Sequence, residues 1–148
     1  MDSVNIERLG PGDEKRLADA VPGAFDRAVD PALTERFLRG SHNVLVAAFA
    51  AGRAVGFASG LLYLHPDKPL QLWVNEVGVA PPYRRRGIGK RLMRAMQRVA
   101  VEEGCSECWL LTEPDDAVAN ALYRSLTGWR GPALQAMYSV DLAGGKAV

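Results

Sequence analysis

Val77-Gly78-Val79-Ala80-Pro81-Pro82-Tyr83-Arg84-Arg85-Arg86-Gly87-Ile88-Gly89-Lys90-Arg91-Leu92 decides how the chain folds. Leu72, Val74, Val77 and Val79 run into it as a buried strand. Pro81 and Pro82 stop that strand, because proline offers no donor to a ladder. Beyond Gly87, Ile88, Leu92, Ala95, Met96 and Val99 recur at helical spacing. Strand, glycine turn and helix together aim unpaired backbone N–H groups and the positive end of a helix dipole at one point. Arg84, Arg85, Arg86 and Lys90 add full charges there. The expected ligand carries phosphate.

Working back to the N-terminus, Val4 to Leu9 reads as a first strand, broken by Gly10-Pro11-Gly12. Asp13 is placed to cap a helix reaching about Val21, which Pro22-Gly23 ends. Asp30-Pro31 starts another helix that runs to Gly40. The loop between them, with Phe25 and several charges, is expected to wall a substrate site. Asn43–Ala50 is a continuous apolar strand, Ala51-Gly52-Arg53 a tight turn, and Ala54–Leu64 the returning antiparallel strand. His65 to Pro69 is a loop, and Leu70–Val79 is the fourth strand.

Working forward, the helix extends from about Gly87 to Glu103 and stops at Gly104. Glu107–Thr112 is a fifth strand, made parallel to the fourth by the helical crossover. Glu113-Pro114-Asp115-Asp116 then starts a helix from Ala117 to Thr127, and Ala136–Leu142 alternates as a last strand. The whole, 1–148, is expected to be one domain, with 143–148 a frayed tail.

Composition narrows the partners. Net charge is +1, so no global case exists for nucleic acid or an acidic membrane. Seven basic residues between Arg84 and Arg98 face no acidic one, yet no aromatics interleave them as nucleic-acid binding would favour. Arg91, Arg94 and Arg98 read as solvated charges. No apolar run approaches the roughly 20 residues of a membrane span, and the N-terminus lacks a signal-peptide pattern, so a cytoplasmic protein is expected. Cys105-Ser106-Glu107-Cys108 is half of a zinc site with no histidine near it, and Cys108 is expected to pack in the core.

Two familiar phosphate loops fail on spacing. A dinucleotide-binding G-x-G-x-x-G would need glycine where Leu92 stands, and a P-loop would need it at Arg84. What fits is R-x-x-G-x-G, Arg84 to Gly89, after V-x-V, with Asn120-Ala121-Leu122-Tyr123 and Gly128-Trp129 downstream. In these features the chain resembles the GNAT superfamily of acyl-CoA-dependent N-acyltransferases, from about Val44 to Leu142.

The resemblance implies an α/β (α+β) fold with a mixed, mostly antiparallel sheet and helices on both faces. It also implies a parallel fourth and fifth strand splayed around acetyl-CoA. The cofactor's pyrophosphate would rest on the amides of Arg85, Arg86, Gly87, Ile88, Gly89 and Lys90, and its pantetheine beside Val77, Gly78 and Val79. Tyr123 is the implied acid for the leaving thiolate, against the alternative of a core tyrosine. Asp116 stands where the family has a pantetheine-contacting asparagine; as a helix cap it would lose that contact. A homodimer is also implied.

Acetyl transfer to an amine needs a base, and Glu76 is the candidate, as base or amine ligand. The competing role is structural, such as a buried salt bridge, since a carboxylate among apolar strand residues is costly unless paired. The oxyanion is expected on a backbone N–H near Val77 to Val79. Within the superfamily the chain is most similar to the aminoglycoside 3-N-acetyltransferase group, in Glu76, Asp115-Asp116 and Asp141. Glu76, Glu113, Asp115 and Asp141 would then bind a small, polycationic amine. The alternatives are a protein amino-group acetyltransferase and a non-catalytic acyl-CoA sensor.

Overall fold

The structure, a computed structural model, describes residues 2–143. The chain separates into two compact units, Met1–Leu111 and Thr112–Val148. The first holds a five-stranded sheet in the order β1 (Val4–Leu9), β2 (Asn43–Ala50), β3 (Arg53–Tyr63), β4 (Gln71–Val79) and β5 (Glu107–Leu110). Pairing is antiparallel through β4, and β4 to β5 is parallel. This is the mixed, mostly antiparallel sheet expected.

β2 has no polar side because both of its faces are covered. Leu45, Ala47 and Phe49 pack with Leu9, Leu17, Leu38 and Ala54 beneath α1 (Pro31–Arg39) and the segment preceding it. Val44, Val46 and Ala48, of opposite phase, are equally buried on the α2 side (Ile88–Glu102). α2 buries Ile88, Leu92, Met93, Ala95, Met96, Val99 and Ala100. At about 1.5–3 kcal/mol for each large side chain, this outweighs the ~1 kcal/mol cost of Gly89 in its first turn. Its close seat on the sheet depends on Gly60, where a Cβ would stand 2.8 Å from the Met96 methyl.

α1 is capped as expected, the Asp30 carboxylate accepting from the Leu33 N–H at 2.9 Å. The expected helix from Asp13 to Val21 is replaced by one 3₁₀ turn, Glu14–Leu17. The Asp13 carboxylate accepts from the Gly10 N–H at 2.9 Å instead of capping forward, and the Val21 N–H is drawn to the Ala54 carbonyl at 2.8 Å. β5 ends at Leu110, short of Thr112.

In the second unit α3 (Ala117–Arg124) stops short of Thr127, with Ser125 closing its last turn. The last strand expected at Ala136–Leu142 is not formed: residues 129–142 carry no helix or strand. Met137, Tyr138 and Val140 are exposed there, Tyr138 at 93%. Alternation is necessary for a half-buried strand but does not supply the ladder partner a strand requires. Of the tail at 143–148, all but Ala143 lies outside the described residues. Among the described residues no helix is long and apolar enough to cross a membrane.

Candidate active site

β4 is paired on both sides only in its first half. Gln71–Val74 lie beside Glu107–Leu110 of β5, while Asn75–Val79 continue with β3 alone. The parallel strands therefore part beyond Val74. A bulge accompanies the change, since Glu76 pairs with Ser59 but Val74 with Gly60, leaving Asn75 extra. It also explains why the apolar phase shifts from Leu72 and Val74 to Val77 and Val79. The parity change is visible in the sequence, and sequence reasoning missed it.

Backbone direction alternates along a strand. The Ala80 N–H points to β3, where it meets the Val55 carbonyl at 2.8 Å. Gly78 shares that direction, so the amides and carbonyls of Val77 and Val79 point into the gap. Arg84 confirms this for Val79, donating from Nε to its carbonyl at 2.9 Å. Among the described residues, that leaves the Val77 and Val79 N–H groups and the Val77 carbonyl without a strand partner on the side facing away from β3. They can receive an extended, amide-containing chain as an added strand.

Beyond β4 the chain turns through Pro81–Tyr83 and enters α2. Arg85 (φ 64°) and Gly87 (φ 75°) are both left-handed, which folds the turn back on itself. Arg86 lies over the Tyr83 ring at 5.1 Å. Among the described residues, no backbone N–H from Arg85 to Lys90 has a protein acceptor. A row of free amides at a helix N-terminus, rimmed by Arg85, Arg86 and Lys90, is the environment a diphosphate requires.

Glu76 lies on the opposite face of β4 from Val77 and Val79. The expectation of a costly buried carboxylate is corrected: the residue is exposed. Its carboxyl is nonetheless pushed up from its ordinary value, first by partial screening from water and then by Asp26. Among the described residues no lysine or arginine pairs with it, which removes the salt-bridge reading. Asp26 was not singled out in the sequence, where it was one of several charges in the 22–29 loop.

The second unit carries the other candidates. Asp116 is the N-cap of α3, its carboxylate accepting from the Ala119 N–H at 2.9 Å. The buried Asn120 ties down the preceding loop, donating to the Glu113 carbonyl at 3.0 Å and the Asp116 carbonyl at 2.8 Å. Tyr123 is half-buried, and burial, then the Asp116 charge, push its hydroxyl up from its ordinary value. It stays protonated and able to donate. Glu113 and Asp115 are exposed, and the Asp141 carboxylate accepts from the Ala143 N–H at 2.9 Å.

Cys105 and Cys108 are free thiols. Burial pushes the Cys108 thiol up to about 12, which keeps the reactive thiolate scarce. No group of residues among those described can hold a metal ion. Trp73 packs flat on Trp109 at 5.6 Å, and Arg91, Arg94 and Arg98 are exposed along α2.

The sequence profile of a family described as "Acetyltransferase (GNAT) family" matches residues 14–129. The chain is 35% identical over 137 residues to the N-alpha-acetyltransferase RimI of Mycobacterium tuberculosis, covering 91% of this chain and 84% of that one. It is 29% identical over 126 residues to an aminoglycoside N(6')-acetyltransferase type 1 of Salmonella typhimurium, covering 81% and 77%. Among solved structures, AAC(6')-Iy in complex with a bisubstrate analogue, CoA-S-monomethyl-acetylneamine, superimposes with a TM-score of 0.77 at 23% identity, over 94% of this chain and 99% of that one.

Proposed function

Because this chain belongs to the acetyltransferase (GNAT) family, whose acyl donor is acetyl-CoA, we propose that it acetylates a primary amine of a small cationic acceptor. The carrying observation is the row of unpaired amides from Arg85 to Lys90, next to a strand edge open at Val77 and Val79. Those amides would hold the pyrophosphate, with Arg84, Arg85, Arg86 and Lys90 adding charge around it, and the strand edge would hold the pantetheine. Bound acetyl-CoA supplies an activated acetyl thioester. The chain's own residues do the rest.

Glu76 takes the proton that an ammonium must lose before its nitrogen can attack, and its raised proton affinity suits that task. An N–H at Val77 or Val79 meets the charge developing on the carbonyl oxygen. Tyr123 donates a proton to the departing sulfur. In this reading Asp116 serves pantetheine only indirectly, by fixing the start of α3, because its carboxylate is engaged as a cap. Residues 1–148 act as one acetyltransferase domain. Tyr123→Phe is expected to lower kcat while leaving the affinity for CoA unchanged; weaker CoA binding with normal turnover would remove Tyr123 from this role.

For the acceptor we favour an aminoglycoside or similar polyamine, with Glu76, Glu113, Asp115 and Asp141 supplying negative charge. The 3-N position expected from sequence resemblance gains nothing from the aminoglycoside relatives, whose names specify N(6'). The second reading is acetylation of a protein α-amino group, favoured by the 35% identity to RimI. Measuring CoA release with kanamycin, gentamicin, spermidine and an N-terminal peptide separates the two. Turnover of the peptide alone would reject the polycation. A cytoplasmic homodimer acting without nucleic acid or membrane completes the proposal.

A further inference from the structure

Three contacts place the 22–29 loop on the Glu76 face of β4. A Cβ at Gly78 would collide with the Ala24 carbonyl oxygen, so the loop backbone lies directly on that glycine. Phe25 stacks on Phe57, the β3 partner of Gly78, with centroids 3.9 Å apart and planes at 13°. Gly23 abuts Pro81, where a Cβ would stand 2.6 Å from Cδ. Glu76 is two residues before Gly78 and therefore on the same face of the strand. Asp26 is two residues after Ala24, which puts it on the same face as Glu76, and its charge acts on the Glu76 carboxyl.

We propose that Asp26 is a positioning residue for acetyl transfer, which fixes the Glu76 carboxyl and shares with it the proton taken from the acceptor. The inference rests on the assignment of Glu76 as the base. With both carboxylates ionised the pair attracts an ammonium group. One proton passes from the ammonium nitrogen to the pair, the amine becomes neutral, and the proton lies between the two carboxyls until water removes it. Two adjacent carboxylates hold a first proton more tightly than either holds one alone.

No other charge accounts for this. The residue across from Glu76 on β3 is the uncharged Ser59, and its neighbours on β4 are Asn75 and Val77. On the loop the facing charge is Asp26; Arg27, next in the chain, forms no ion pair with either carboxylate.

The sign of the effect follows. Asp26 makes Glu76 hold its proton to higher pH, so removing Asp26 moves Glu76 titration, and the acidic limb of kcat/KM, to lower pH. Side-chain carboxyl ¹³C NMR of the full chain, with Glu76→Gln to assign the signal, reads the titration without any acceptor. In Asp26→Asn the Glu76 midpoint is expected to fall to lower pH, a modest shift because both residues are exposed. Asp26→Glu should restore part of it.

An unchanged Glu76 midpoint in Asp26→Asn overturns the proposal, even in an enzyme that turns over. A shifted midpoint in a protein that acetylates none of the amines tried supports the pair and counts against the acceptor reading alone.

Discussion

The two halves of β4 differ in what flanks them. Gln71–Val74 sit between two strands, and Leu72 and Val74 are almost fully buried. Asn75–Val79 have β3 on one side and an open edge on the other, with Val77 and Val79 only half-buried. The first half is paired on both sides and holds the sheet together. The second leaves backbone groups open at the edge proposed to receive the cofactor. What separates the halves is one extra residue, Asn75, and the early end of β5 at Leu110.

Mutations should divide the same way. The largest effect is expected from Gly78→Val, which drives a side chain into the Ala24 carbonyl and Phe57. Overpacking of this kind costs about 1–3 kcal/mol, and by lifting the 22–29 loop from Glu76 it should also abolish turnover. A thermal melt together with an acetylation assay checks both. Val74→Ala, in the paired half, should cost about 2 kcal/mol by leaving a cavity while CoA affinity stays within twofold. Loss of CoA binding in that stably folded variant would erase the distinction between the halves.

Smaller effects sharpen the boundary at the turn. Gly87→Ala meets no atom within 4 Å but forces a side chain into φ 75°, at a cost of about 1 kcal/mol. CoA affinity measured by calorimetry should fall about fivefold. The double change Arg94→Ala and Arg98→Ala should be silent, within about 0.5 kcal/mol in stability and with unchanged CoA affinity, because these residues are exposed and lie beyond the first turn of α2.

Much of this was legible in the residues. The glycine turn, the strand before it and the helix after it came from proline, from glycine and from a change of apolar period. Asp30-Pro31 marked α1 to the residue, because a cap and a first-turn proline are local chemistry. Three features were not local. Asp13 turned back to Gly10, and the segment after it makes one 3₁₀ turn and is tied to β3 at Val21 instead of forming an α-helix. The 136–142 alternation fixes two faces but cannot show which strand, if any, lies beside it. Asp26 became a candidate only when Gly78 and Phe57 fixed where its loop rests, fifty residues away in sequence.

The amides from Arg85 to Lys90 can be followed one by one in an ¹⁵N–¹H NMR titration with CoA. The N–H signals of Arg85 to Lys90, with those of Val77 and Val79, should move most and saturate together. CoA binding that leaves them in place while signals elsewhere shift would put the diphosphate at another site.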